Sequence, residues 1–221
     1  MHKFPSSITE VESTNKNFKI TWFMEKACNY DCSYCGDDRH FMMGSETKFK
    51  SLETLKEHWE TLYSQLKNTT KKIDIHFSGG EVTLNKNFIP FLKWLRSNYT
   101  CIDAIGLASN GSAGILYYEE LIKYLSHLTF STHTEFFNEE KFFDTVTHIH
   151  KLNNNILYIQ LMNEEFNPNN RASTYSAYLS KIGVPFTVMD INFPKIPLET
   201  HFNKNTKEFD FGWYYYNRPP I

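Results

Sequence analysis

Several features that assign a chain to a special class of protein are missing from these 221 residues. The 23 basic and 25 acidic residues leave a formal charge of −2, so nothing general attracts the chain to nucleic acid or to an anionic membrane. No apolar run approaches the roughly 18 residues that span a bilayer. Residues 1–16 are polar and mixed in charge, without the apolar centre of a secretory signal. We therefore expect a cytoplasmic protein that acts on neither membranes nor nucleic acid.

Cysteine is also scarce, and the four residues present exclude a disulfide-rich scaffold. Three of them, Cys28, Cys32 and Cys35, lie within eight residues, while Cys101 is distant. Thiols in the cytoplasm stay reduced, so clustered cysteines there bind metal or perform redox chemistry more often than they form disulfides. The 41% hydrophobic and 16% aromatic content supplies a folded core and argues against disorder.

Strand-like and helix-like patterns alternate along the chain from about residue 18. Helical stripes such as Leu55, Trp59 and Leu62 separate the strand candidates, and Ser51 is placed to cap the first helix. The predicted strands are 18–24, 72–77, 102–108, 128–132, 156–162 and 184–191. Crossovers between parallel strands usually contain a helix, so these six steps, the last without its helix, predict an α/β fold with a parallel sheet and outer helices.

The residues that could take part in catalysis or ligand binding follow the predicted strands. In chain order they are the three cysteines, Gly79-Gly80-Glu81, Ser109-Asn110-Gly111, His133 and Met162-Asn163-Glu164. Because functional sites in parallel α/β folds gather at the carboxyl ends of the strands, the sequence places its unusual residues where such a site lies.

The three clustered cysteines have the form C-x3-C-x2-C. Their thiolates can converge on one metal centre but cannot complete a four-cysteine site. They suit a [4Fe–4S] cluster with one open iron, or a zinc site that His40 completes. A disulfide with one spare cysteine is the remaining interpretation, which the cytoplasm disfavours. The spacing favours iron and sulfur over zinc.

This loop, placed after the first strand, resembles the hallmark of the radical S-adenosylmethionine (SAM) superfamily. Tyr34 stands where that family usually has an aromatic residue near the SAM adenine. Gly79-Gly80-Glu81, after the second strand, resembles the family segment that contacts the amino group of SAM. The softer matches are Ser109 and Asn110, in a turn common after the third strand, Ser131, at a position that often bonds the ribose, and Met162 near the fifth strand.

The resemblance covers about residues 18–191 and implies a partial (β/α)6 barrel. It implies that Cys28, Cys32 and Cys35 hold a [4Fe–4S] cluster whose open iron chelates SAM, with Glu81 accepting a hydrogen bond from the SAM amino group. The reduced cluster would cleave SAM to a 5′-deoxyadenosyl radical that abstracts hydrogen from a substrate. A reductant protein of the flavodoxin or ferredoxin type would supply the electron.

Two residues are candidates for contact with the substrate. His133 replaces an aspartate that is common in the family after the fourth strand, and it is equally a candidate for a structural role. Cys101 is predicted to be a buried core thiol, with a radical-donor role as the alternative. The polar segment 37–40 is predicted to be a substrate loop, with a solvated connection as the alternative.

The domain prediction is a radical SAM core over residues 1–192 and a tail over residues 193–221. The aromatic tail segment 213–216 is predicted to pack on the barrel, with contact to substrate as the alternative. The length leaves little room for an accessory domain, which favours a small-molecule or small modified-biomolecule substrate. A peptide-modifying radical SAM maturase is the main enzyme alternative. A zinc-stabilised binding module, using the three cysteines and His40, is the alternative of another class.

Overall fold

The structure is a computed structural model that describes residues 8–13, 17–32, 34–35, 41–42, 48–66, 71–164, 167, 170–191, 202–203 and 208–209. The strands are β1 (Ile8–Ser13), β2 (Asn17–Glu25), β3 (Ala27–Cys28), β4 (Phe41–Met42), β5 (Lys72–Gly79), β6 (Ile102–Ser109), β7 (His127–Thr132), β8 (Leu157–Glu164), β9 (Phe186–Ile191), β10 (Phe202–Asn203) and β11 (Glu208–Phe209). The helices are α1 (Leu52–Leu66), α2 (Phe88–Asn98), α3 (Ile115–Leu121), α4 (Glu139–Leu152) and α5 (Ala172–Ile182), with a 3₁₀ turn at Val82–Leu84.

One large sheet organises the described residues, with the strand order β1-β2-β5-β6-β7-β8-β9. The six strands from β2 to β9 pair in parallel, and a helix lies in each crossover between them. Within the described part of the chain the sheet remains open, with β1 and β9 at its edges. The predicted α/β fold, a partial barrel of six parallel strands with outer helices, is confirmed.

Strand β1 is an element that the sequence patterns did not predict. It pairs antiparallel with β2, from Ile8 opposite Trp22 to Ser13 opposite Phe18. Antiparallel neighbours need only a short connection, so β1 adds to the sheet without a crossover helix and falls outside the strand–helix repeat. Its polar sequence, ITEVES, is typical of an edge strand and carries little apolar signal.

The apolar core lies between the sheet and the helices. In β5, Ile73, Ile75 and Phe77 are almost completely buried, whereas the alternate residues Asp74 and His76 are half-buried on the opposite face. Burial of one such apolar side chain contributes about 1.5–3 kcal/mol. Helix residues in the same cluster include Leu55, Trp59, Phe91 and Leu92. The helices therefore cover one face of the sheet, and at β5 the other face carries polar side chains.

Local chemistry fixes the ends of two helices. Ser51 caps α1 as predicted, since its Oγ accepts a hydrogen bond from the Thr54 backbone amide at 3.1 Å. Helix α5 ends at Gly183, whose φ of +75° lies in the left-handed region that favours glycine. Of the helices in the described ranges, none combines the length and apolar character needed to cross a bilayer.

Most of the tail lies outside the described residues, including segment 213–216. Strands β10 and β11 form a separate antiparallel pair, with Phe202 opposite Phe209. The packing of the tail on the barrel and the domain division at residue 192 therefore stay predictions. Segment 37–40, with His40, also lies outside the described residues.

Candidate functional site

The parallel sheet brings the segments that carry the predicted site residues together at the carboxyl ends of its strands. The Asn110 side chain, after β6, lies 3.8 Å from the Cys28 sulfur, after β2. Its backbone amide donates to Glu81, after β5, at 2.6 Å. Tyr34, in the cysteine loop, contacts His133, after β7, at 2.8 Å. Segments up to about a hundred residues apart in the chain thus meet at the carboxyl ends of the parallel strands.

The two glycines allow the end of β5 to pass close to the chain that enters the cysteine loop. Gly79 has a φ of +133°, and a side chain there would place Cβ 2.3 Å from the Glu25 carbonyl oxygen. At Gly80 the added Cβ would lie 2.1 Å from the Ala27 carbonyl oxygen. The backbone amides of Gly80 and Glu81 donate to these two carbonyls at 2.8 Å each. The glycines therefore fix the base of the cysteine loop.

Glu81 is completely buried, and its side-chain carboxylate accepts hydrogen bonds from other groups of the protein. Its Oε1 accepts from the Thr83 amide at 3.0 Å, the Thr83 hydroxyl at 2.6 Å and the Ser109 hydroxyl at 2.9 Å, and its Oε2 accepts from the Asn110 amide at 2.6 Å. Burial raises the pKa of this carboxyl, and the hydrogen bonds oppose that rise. The side chain thus ties β5 to the turn after β6, while its bond to the SAM amino group stays a prediction.

Ser109 and Asn110 connect that carboxyl to the cysteine loop. The Ser109 hydroxyl also lies 2.9 Å from the Tyr118 hydroxyl on α3. The Asn110 side-chain amide donates to the Asn29 side-chain oxygen at 2.9 Å, next to Cys28. Asn29 in turn donates to the Ser112 hydroxyl at 3.0 Å. Hydrogen bonds therefore join the turn after β6 to the first part of the cysteine loop, an arrangement that the sequence did not reveal.

The cysteine loop holds two buried thiols and one exposed thiol. Cys28 and Cys32 are each 9% exposed, whereas Cys35 lies on the surface, and all are thiols rather than disulfides. Burial raises the pKa of Cys28 to about 11, and it raises the pKa of Cys32 further. The negative charges of the neighbouring cysteines contribute to both shifts, so the three sulfurs influence one another.

The donor set of this loop fits an iron–sulfur cluster in its chemistry. A bound cation would offset both the burial of the thiolates and their mutual repulsion. Across the described residues, no three histidine, cysteine, aspartate or glutamate side chains are arranged to hold a metal ion. The assignment of Cys28, Cys32 and Cys35 as ligands therefore stays a prediction.

Tyr34 is the centre of a second hydrogen-bonded group at this edge. Its hydroxyl donates to Glu164 Oε1 at 2.7 Å and lies 2.8 Å from His133 Nδ1. The Tyr34 and His133 rings stack with 5.9 Å between their centroids. Burial, the charge of Cys32 and the bond to Glu164 together raise the pKa of Tyr34 well above its ordinary value. The Tyr34 hydroxyl therefore keeps its proton and donates it.

Two glutamates at strand ends are buried, and the sequence analysis did not predict their burial. Glu164 is fully buried, and Glu25, at the end of β2, is 6% exposed. Glu25 accepts from the Asn85 side chain at 2.6 Å and forms an ion pair with Lys50 at 3.6 Å. Both are the last residues of their strands, and the sequence carries no local signal of their burial, because carboxylates are rarely buried unless they are paired.

Ser131 lies on β7 opposite Gln160 of β8, and Met162 follows two residues further along β8. The Ser131 hydroxyl donates weakly to the Gln160 side chain at 3.5 Å. Met162 is 9% exposed, and its backbone amide donates to the Thr132 hydroxyl at 3.0 Å. Both residues lie toward the carboxyl ends of their strands, and their contact with SAM stays a prediction.

Cys101 lies away from this group. It directly precedes β6, whereas Ser109 is the last residue of that strand. Eight residues of strand separate the two ends by about 25 Å. Cys101 is partly buried and packs against the core. The parallel topology puts this thiol at the amino ends of the strands, and both its structural role and the radical-donor alternative stay predictions.

Comparison with known proteins identifies relatives at the level of fold. No family model matches the chain, and no curated protein matches its sequence. The solved structures similar to it include native anSMEcpe with bound AdoMet, at a TM-score of 0.59 and 15% identity, and hexahistidine-tagged anSMEcpe with bound AdoMet, at 0.56 and 16%. Each match covers 77% of this chain, against 50% of the native and 48% of the tagged protein. This chain therefore spans about half the length of those structures, which are of an anaerobic sulfatase-maturating radical SAM enzyme.

Proposed function

We propose that the chain is a radical SAM enzyme. The observation that carries the proposal is the position of the three-cysteine loop, at the carboxyl end of the first parallel strand and bonded to the segments after β5 and β6. The likeness to an AdoMet-bound radical SAM fold supports the same conclusion. A cysteine loop on an unrelated fold would leave zinc binding equally well supported.

Cys28, Cys32 and Cys35 are the proposed ligands of a [4Fe–4S] cluster. When bound, the cluster and SAM supply one-electron cleavage of the sulfonium and hydrogen abstraction from a substrate. The part of the chain is to hold these groups in place. Gly79 and Gly80 anchor the loop on β5, and the buried Glu81 fixes the distance between β5 and β6. Such anchoring on strand ends is more precise than a site built on loops alone.

The buried thiols give the cluster an environment with limited water. Cys28, Tyr30 and Cys32 form a small buried group, against which Tyr34 and Phe137 pack. A low-dielectric setting strengthens every electrostatic interaction inside it and excludes competing reactions of a radical. The exposed Cys35 lies at the outer side of this group.

The substrate proposed from the sequence is a small molecule or a small modified biomolecule. The neighbouring strands β7 and β8 carry the neutral polar side chains of Ser131 and Gln160, which contact each other. The Gln160 amide also contacts the sulfur of the exposed Met189 at 3.3 Å. These groups offer hydrogen bonds and no charge, which favours a polar, neutral substrate portion.

A peptide substrate is the second candidate, and one observation favours it. Both similar structures are of an enzyme that matures sulfatases, which are proteins. At 15–16% identity this likeness concerns the fold, so the substrate class has to be tested directly. A deuterated candidate of either class should transfer deuterium into 5′-deoxyadenosine if it is the substrate, and mass spectrometry reads that transfer.

The metal content of anaerobically purified protein tests the cluster assignment. We expect about four iron and four sulfide per chain, with a brown colour. Alanine at Cys28, Cys32 or Cys35 should reduce this content, whereas Cys101→Ala is the matched control and should retain it. One zinc per chain after reconstitution with iron and sulfide would contradict the proposal and favour the zinc-stabilised module.

A further inference from the structure

Glu164 lies at the centre of a group of donors that no role has yet explained. Its Oε1 accepts from Tyr34 at 2.7 Å and from the Thr134 amide at 3.0 Å. Its Oε2 accepts from the Thr134 hydroxyl and from the Asn167 side chain, the latter at 2.8 Å. The residue is fully buried, so these four bonds supply its solvation. Glu164 thereby joins β8 to the turn after β7 and to the cysteine loop.

The number of protons available in this group determines the roles of its members. The Tyr34 hydroxyl carries one proton, which it donates to Glu164. The same oxygen lies 2.8 Å from His133 Nδ1. With its only proton already used, Tyr34 can meet His133 only as an acceptor, so Nδ1 has to carry a proton and donate it. The reverse direction would place two acceptor oxygens against each other at 2.7 Å.

We propose that Glu164 is a positioning residue that acts through Tyr34 to hold His133 in the Nδ1–H tautomer. The bonds run from His133 Nδ1 to the Tyr34 oxygen, and from the Tyr34 proton to the Glu164 carboxylate. The stacked rings of Tyr34 and His133, inclined by 17°, hold the imidazole in this register. The Tyr30 ring meets the His133 ring edge-on, with 6.2 Å between their centroids and 73° between their planes.

The tautomer decides what the second nitrogen of His133 does. In the neutral ring, Nε2 is then the hydrogen-bond acceptor. A group that meets Nε2 must therefore be a donor, such as a hydroxyl or an amine, and a carboxylate is rejected. The relevance of this preference to a substrate rests on the proposed function. The tautomer itself does not, because it follows from contacts within the chain.

Nitrogen NMR of the full chain reads the tautomer directly. The protein is labelled with ¹⁵N-histidine, kept free of iron, and recorded at alkaline pH, where an ordinary imidazole is neutral. A His133→Asn spectrum assigns the resonance among the nine histidines. We expect Nδ1 at the protonated position and Nε2 at the unprotonated position. A His133 ring with its proton on Nε2 would overturn the proposal.

Three variants separate the roles of Tyr34 and Glu164. Tyr34→Phe keeps the stacked ring and removes the acceptor, so the tautomer should shift toward Nε2–H. Glu164→Gln should shift it in the same direction, because the amide can donate to the Tyr34 oxygen and reverse that bond. An unchanged tautomer in either variant overturns the proposal. If Glu164→Gln does not fold, Glu164→Asp, which keeps the charge and loses the reach, replaces it with the same expectation.

A matched control removes another tyrosine–glutamate bond from the same half of the molecule. The Tyr175 hydroxyl donates to Glu139 at 3.0 Å, and Tyr175→Phe should leave the His133 tautomer unchanged. A shift in this control would mean that the tautomer follows general loosening, which contradicts a specific role for Glu164. Because the samples contain no iron, failure of SAM cleavage leaves this result intact, and failure of the tautomer leaves the proposed function intact.

Discussion

Replacement of Glu81 separates a structural role from a role in cofactor binding. If the side chain only bound SAM, its removal would leave the stability of the cofactor-free protein unchanged. The structure instead shows a completely buried carboxylate with four protein donors. Its loss should therefore destabilise the protein in the absence of any cofactor.

The size of the effect follows from the donors that lose their partner. In Glu81→Ala the buried amides of Thr83 and Asn110 are left unpaired, at about 1–3 kcal/mol each. The Ser109 hydroxyl can turn to Tyr118, which lies 2.9 Å away. The expected loss is therefore about 2–6 kcal/mol. Glu81→Gln keeps one oxygen and leaves one amide unpaired, so about 1–3 kcal/mol is expected.

Urea unfolding of the cofactor-free chain, followed by circular dichroism, measures these losses. Glu57→Gln is the matched control, because Glu57 is exposed on α1, and its change should stay within about 0.5 kcal/mol. A loss for Glu81→Ala no larger than that of the control would refute the structural role. Stability should decrease in the order Glu57→Gln, Glu81→Gln and Glu81→Ala.

Two further predictions concern titratable side chains. In iron-free protein at neutral pH, iodoacetamide should modify the exposed Cys35 well before Cys28, because burial raises the pKa of Cys28 to about 11. Mass spectrometry measures the two rates of modification. Equal rates would contradict the burial of Cys28. Burial lowers the pKa of His76, helped by the charge of the stacked His127, so the folded state binds fewer protons than the unfolded state as the pH falls through 6.5. Stability should therefore fall on acidification. His76→Gln should show a shallower fall in urea unfolding across that range, and an identical slope would refute this cause.

The alternation of strands and helices could be predicted because each parallel crossover requires its own helix. That regularity gave the order of β2 and β5 to β9, and with it the edge where the site lies. Strand β1 escaped prediction because an antiparallel edge strand needs neither an apolar run nor a crossover.

The contacts within the site could be predicted only in part. The sequence marked Glu81 and Asn110 as neighbours of the cysteine loop through strand order, but it could not show that Glu81 is sealed by protein donors. The bond between Tyr34 and Glu164 joins residues 130 positions apart. Glutamate at a strand end is common in solvated loops, so its burial depends on tertiary packing that no local pattern encodes.

The two glycines illustrate a feature with two compatible causes. The resemblance in the sequence places both glycines in a segment that contacts SAM. In the structure, the atoms nearest to an added Cβ are the carbonyl oxygens of Glu25 and Ala27. Close approach of two chain segments therefore suffices to require glycine at Gly79 and Gly80, and a cofactor contact is an additional prediction.

Formation of 5′-deoxyadenosine tests the central proposal most directly. The protein is reconstituted anaerobically with iron and sulfide, reduced, and incubated with SAM, and the product is quantified by mass spectrometry. The proposal predicts 5′-deoxyadenosine from the wild type and from Cys101→Ala, and none from a variant with alanine at Cys28, Cys32 and Cys35. Equal product from the triple variant, or no product from a wild type that carries its iron and sulfide, would contradict it.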